Sequence, residues 1–221
     1  MIRHLLRRNW EALLLIVVGT CLLLSLQVIA QTTERHSHYA LVRGFIAISN
    51  SFHDHIVPVT TPLYWLVLVV YVLCPLPSRV RRLMVDVVAA WFSFRVLESF
   101  VFINLLMFAK AGDHGLLIAQ LLVFLPCLLL MWGWIYWRLD SGYCRRTGAR
   151  MFAFKLPSGA LPTVYDYFLV SFSSLISHSL SSFSGNTRLA RTLIFAHGLM
   201  IWDVMGLTLS RAIALVSSST V

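Results

Sequence analysis

The 221-residue chain has little charge: Asp, Glu, Lys and Arg together make up 12% of it, against 58% hydrophobic residues. Soluble domains carry roughly 25% charged residues, so an ordinary water-exposed globular surface is excluded. A mean hydropathy of +0.79 points instead to an integral membrane protein. Four cysteines are present without any CxxC pair. Three (Cys21, Cys74 and Cys127) fall inside apolar runs and Cys144 lies in an arginine-rich segment, which predicts free thiols and no disulfide framework. GxSxG, HExxH, P-loop and glycine-rich nucleotide motifs are missing, so neither an enzyme nor a bound cofactor is expected. No internal repeat is evident, and no alternating strand pattern of a membrane barrel.

What is there is a series of apolar runs. A helix needs roughly 20 apolar residues to cross about 30 Å of hydrocarbon, and five stretches meet that need: residues 11–30, 58–75, 83–108, 116–137 and 188–216. The start, MIRHLLRRNW followed by EALLLIVVGTCLLLSLQVIA, has the basic and apolar parts of a signal sequence. The run is long for one, so an uncleaved first span is expected. Prolines bracket the second span. Pro126 predicts a kink in the fourth, and Trp132, Trp134, Tyr136 and Trp137 form an aromatic belt at its end.

Lys and Arg give the orientation. A cytoplasmic N-terminus puts Arg3, Arg7, Arg8, Arg79, Arg81, Arg82, Arg138, Arg145, Arg146, Arg150 and Lys155 inside. The loops after the first and third spans then hold only Arg35, Arg43 and Lys110 outside, as the positive-inside rule requires. The +9 net charge therefore reflects topology and does not call for nucleic acid. The expected organisation is a basic cytoplasmic N-terminus at 1–10, a four-helix membrane domain at 11–137 with an external loop at 31–57, a basic cytoplasmic loop at 138–162, and a final module at 163–221.

That module contains VYDYFLVSFSSLISHSLSSFSG, rich in serine among greasy neighbours. A full crossing there would place Arg188 and Arg191 outside; a re-entrant hairpin keeps them inside. Irregular backbone at membrane depth is tolerated only where protein buries it or water reaches it, so oligomer contacts or an aqueous cavity are implied.

With its flanks, YDYFLVSFSSLISHSLSSFSGNTRLARTLIFAHGLMIWDVMGLTLSRAIAL resembles the pore module of the potassium-channel-like pore-loop superfamily. It has a short amphipathic helix with aromatics near its start (Tyr165, Tyr167, Phe168), then hydroxyl residues, a loop, and a long helix opened by Arg188 with Gly198 inside it. The same stretch also resembles an uncharacterised family of bacterial inner-membrane proteins. The filter glycines of potassium channels are missing, since Ser174-Leu175-Ile176-Ser177-His178 occupies their place and no glycine follows until Gly185. A carbonyl-lined potassium filter is therefore not implied. The resemblance implies a homotetramer with Ser174, Ser177, His178, Ser179, Ser181 and Ser182 at the pore loop, while the entry from the cytoplasm that the arginines require departs from potassium channels and is that of the glutamate-receptor branch.

Several residues carry a chemical reading beside a structural one. His178 either forms a pH-sensitive ring around an axis or simply bonds its serine neighbours. Asp203, inside the last span, either sets cation preference or pairs structurally. Arg95 and Glu98 stand three apart and are expected to pair on one helix face. His36, His38, His53, Asp54 and His55 contain two HxH pairs, but without a fixed ligand motif a solvated loop is the expectation, with no metal. Arg138, Arg145, Arg146, Arg150 and Lys155 can grip anionic headgroups or an acidic cytosolic partner. The expected protein is an all-α, multi-pass, oligomeric, ion-channel-like protein of an inner or plasma membrane. The competing expectation is a nonconducting membrane sensor or scaffold, for example in bacterial stress or phage defence. A small transporter is disfavoured by the lack of an inverted repeat.

Overall fold

The computed structural model describes residues 2–32, 40–106, 114–156, 160–176 and 183–218. They are overwhelmingly helical and form two compact units, Met1–Cys127 and Leu128–Val221.

The first unit holds α1 (Ile2–Thr32), α2 (Ala40–His55), α3 (Val57–Leu73), α4 (Ser78–Leu106) and the beginning of α5 (His114–Thr147). Ala12, Leu15, Val18 and Leu22 recur at helical spacing on α1 and are buried. Opposite them are Tyr64, Leu68 and Tyr71 of α3 and Val85, Val88, Ala89, Phe92 and Val96 of α4. Gly19 permits this packing, because a Cβ there would sit 2.9 Å from the Phe92 ring. That ring meets Tyr64 edge-on at 4.8 Å. The segment expected as an external loop at 31–57 contains α2, which meets α3 at a 50° bend. Pro58 in the first turn of α3 explains the break: proline has no N–H to continue an incoming helix but suits the start of a new one.

The second unit holds the remainder of α5, then β1 (Phe152–Phe154), α6 (Val164–Ser173), β2 (Phe183–Gly185) and α7 (Arg188–Ser218). Helix α5 continues through Pro126 and ten residues past the expected end of the fourth span, so Arg138 to Thr147 are helical and not loop. It closes on Gly148, whose φ of +72° is the left-handed conformation glycine adopts at low cost. The two strands pair antiparallel, Phe152 with Gly185, Ala153 with Ser184 and Phe154 with Phe183. Each is only three residues long.

Among the described residues, two helical segments are long and apolar enough to cross a membrane, Gln120–Thr147 and Arg188–Ser210, or three if the bent α2–α3 pair is one span. The protein is thus all-α with a minimal strand pair, and its composition and helices are those of a membrane protein.

Candidate functional site

The end of α5, the strand pair and α6 are joined through one carboxylate. Asp140 is fully buried. Its Oδ1 accepts the backbone N–H of Met151 at 2.6 Å and of Phe152 at 3.2 Å. Its Oδ2 accepts Arg150 Nη1 at 2.8 Å and the Tyr167 hydroxyl. Arg150 also donates to the Tyr167 oxygen at 3.1 Å, and its hydrogen bond to Asp140 holds the guanidinium above its ordinary value. One acid thus compensates its burial with four donors.

Helix α6 is capped by Thr163, whose N–H and hydroxyl both donate to the Asp166 carboxylate at 2.6 and 2.7 Å, the half of a capping box in which the acid reaches back to the cap. Its buried face then runs along α5. Tyr167 bonds Asp140, Phe168 packs on Gly133, and the Ser171 hydroxyl donates to the Leu129 carbonyl at 2.8 Å. A Cβ on Gly133 would sit 2.5 Å from Phe168 Cδ1 and 3.1 Å from its Cα, so only glycine admits α6 this closely. At 1.5 Å per residue, contacts from Asp140 to Leu129 extend about 16 Å along α5. After α6 the chain returns to its starting place, because Phe183 pairs with Phe154 and Asn186 N–H donates to Met151 O at 2.9 Å.

The outward face of α6 is apolar: Tyr165, Leu169 and Phe172 are exposed, and Ile176 in the turn that follows is 91% exposed. The described hydroxyls turn inward. Ser173 donates to Val170 O at 2.9 Å, and buried Ser174 donates to Ser171 O at 2.6 Å. Ser177, His178, Ser179, Ser181 and Ser182 lie outside the described residues.

On α7, Ala190, His197, Ile201 and Val204 form the buried face. His197 stacks on Trp132 at 4.8 Å and shares a 3.0 Å hydrogen bond through Nδ1 with the Tyr136 hydroxyl. Tyr136 itself lies among Phe152, Phe183 and His197. Asp203 is half-buried. Arg145 and Arg146 are exposed, each donating to a carbonyl four residues back. Lys155 is exposed and Arg138 half-buried.

In the first unit, Arg95 and Glu98 pair at 2.7 Å, as their spacing suggests. Arg95 is 3% exposed and its second terminal nitrogen donates to His53 Nε2 at 3.0 Å. His53 Nδ1 lies 2.7 Å from the Ser49 carbonyl. A carbonyl only accepts and a guanidinium only donates, so His53 is the neutral tautomer with its proton on Nδ1. Ser49 completes the cluster by donating to Glu98 Oε1 at 2.9 Å, and the Phe52 ring covers Arg95 at 5.2 Å. His53 therefore belongs to a partly buried network around Arg95 and not to a solvated loop; Asp54 and His55 are exposed, while His36 and His38 lie outside the described residues.

Sequence reasoning missed Asp140 and Ser49, and although it singled out Tyr167, His53 and Tyr136 it did not foresee their bonds to Asp140, Arg95 and His197. The long sequence separations hid most of these. Asp140 had one visible signal, a lone acid in a stretch of arginines, RLDSGYCRR. No family model, no curated protein and no solved structure matches this chain.

Proposed function

We propose that the protein is a homo-oligomeric, ion-channel-like integral membrane protein in which β1, α6 and β2 form a re-entrant element. The observation that supports this reading is the row of contacts between α6 and α5. Along α5 they pass from Asp140 to Leu129, beyond the midpoint of the apolar segment Gln120–Thr147. Yet the strand pairing returns the chain to the level of Met151. If Gln120–Thr147 crosses about 30 Å of hydrocarbon, α6 descends roughly halfway and comes back on the side it entered. Arg145, Arg146, Arg150, Lys155, Arg188 and Arg191 then share that side, which the positive-inside rule makes cytoplasmic. Spans at residues 11–30, 58–75 and 83–108 complete a five-span protein of an inner or plasma membrane with a cytoplasmic N-terminus.

In this reading Ser177, His178, Ser179 and Ser181, which lie outside the described residues, surround an axis formed by four copies, as the pore-loop resemblance implies. The exposed apolar ridge of α6 packs against neighbouring copies, as the pore-loop resemblance implies. His178 and Asp203 set charge preference. A second reading, a nonconducting sensor or scaffold, draws support from the same element: Ser171, Ser173 and Ser174 spend their hydroxyls within the fold. Its cytosolic partner would meet the exposed Arg145 and Arg146.

Reconstitution of the purified protein in planar bilayers separates the two. Unitary currents that change with His178→Ala or Asp203→Asn are expected of a pore. A silent bilayer, together with a cytosolic protein that co-purifies only while Arg145 and Arg146 are intact, would replace it with the scaffold.

A further inference from the structure

Where β2 meets α7 there is an open depression of about 620 Å³ whose lining includes Ser184, Asn186, Arg191 and Phe195. Its upper wall is polar and fixed. Gly185 lies so close to the start of α7 that a Cβ would come within 2.7 Å of the Arg191 nitrogen. Arg191 Nε donates to the Gly185 carbonyl at 3.1 Å. That bond orients the guanidinium and leaves its two terminal nitrogens without a partner among the described residues. Asn186 is held by Arg150 O at 3.2 Å, and the Ser184 side is exposed.

Below Arg191 the surface changes character. Phe195, Leu199 and Trp202 follow at spacings of four, four and three, so they share its helix face. They are 71%, 55% and 66% exposed. A Cβ on Gly198, beside Leu199, would meet nothing within 4 Å. From Arg191 to Trp202 the stripe is about 16 Å long, close to half the hydrocarbon thickness of a bilayer. A cation at the end of a span with an apolar track one leaflet deep below it matches a phospholipid: phosphate at the top, acyl chain along the helix. A free phosphate would leave the track unexplained.

We propose that Arg191, Asn186 and Ser184, with the Phe195–Leu199–Trp202 track, form a binding site for one anionic phospholipid of the leaflet that faces the strand pair. An anionic headgroup is favoured over a zwitterionic one because Arg188, three residues before Arg191 at the start of α7, is also exposed. The proposal rests on the reading that α7 crosses the membrane.

The test uses the full-length protein in nanodiscs of mixed phosphatidylcholine and phosphatidylglycerol, with retained lipid counted by native mass spectrometry after detergent extraction. Arg191→Gln should reduce retained phosphatidylglycerol about fivefold, the worth of one basic residue beside an anionic surface. Arg191→Lys should keep most of it, and Phe195→Gln should lower both lipids. Arg146→Gln, an exposed arginine outside the depression, should change nothing. Retention by Arg191→Gln equal to wild type, an equal loss in Arg146→Gln, or displacement of the lipid by excess inorganic phosphate would each overturn the site. Whether α7 crosses is read separately, from a cysteine at Leu209 in a background with the four native cysteines replaced. It should react with a lipid-soluble maleimide and resist an impermeant one, whatever the lipid count shows.

Discussion

Asp140 has the most to lose by substitution. Truncation to alanine deprives two backbone N–H groups, Arg150 and the Tyr167 hydroxyl of their acceptor at once. Asp140→Ala should therefore cost about 3 kcal/mol and lower the thermal midpoint in detergent. Arg150→Gln should cost less, because the Arg150 side chain is 32% exposed and water takes over part of its role. In the first unit, Glu98→Ala leaves Arg95 buried without the carboxylate that neutralises it and should also cost about 3 kcal/mol, whereas His53→Ala removes a neutral acceptor and should cost about 1 kcal/mol. Equal melting of these two variants would contradict the assignment of His53 as neutral. The Arg95–Glu98 pair was legible in the sequence because three-residue spacing on a helix brings side chains together without help from the fold. Ser49 and His53 were not, because only the packing of α2 on α4 brings them to Arg95.

At the scale of elements, α6 depends on a glycine of α5. Gly133→Val should push Phe168 away and cost about 1 to 3 kcal/mol through overpacking. Protease cleavage between β1 and α7 should rise, while the melting of a Gly142→Val control, with open space around its Cβ, stays near wild type. Phe168→Ala combined with Gly133→Val should recover part of the docking; no recovery would place the clash elsewhere. Helix α6 could be read from its aromatic and hydroxyl pattern. The strands could not, since three-residue partners separated by a whole helix carry no periodic signal. The extension of α5 was obscured by its arginines, which mark a cytoplasmic segment without saying whether it is coiled or helical. The helix α2 was hidden because its polar and histidine-rich sequence, ISNSFHDH, looks like loop until its partners on α4 are known.

The composition of the whole molecule and its long apolar helices are compatible with a membrane protein. Its arginine distribution makes one topological demand, that the chain before β1 and the chain after β2 lie on the same side. The strand register brings Met151 and Asn186 within hydrogen-bonding distance, which is compatible with that demand. The proposed function presupposes it. The most direct test is paired cysteine accessibility in membranes of known orientation, with single cysteines at Lys155 and Ser184 in a background free of native cysteine. Both residues are exposed. A membrane-impermeant maleimide should label both from the cytoplasmic side and neither from the other. Labelling of the two positions from opposite sides would show that the serine-rich segment crosses fully, and would contradict the re-entrant element on which the proposed function stands.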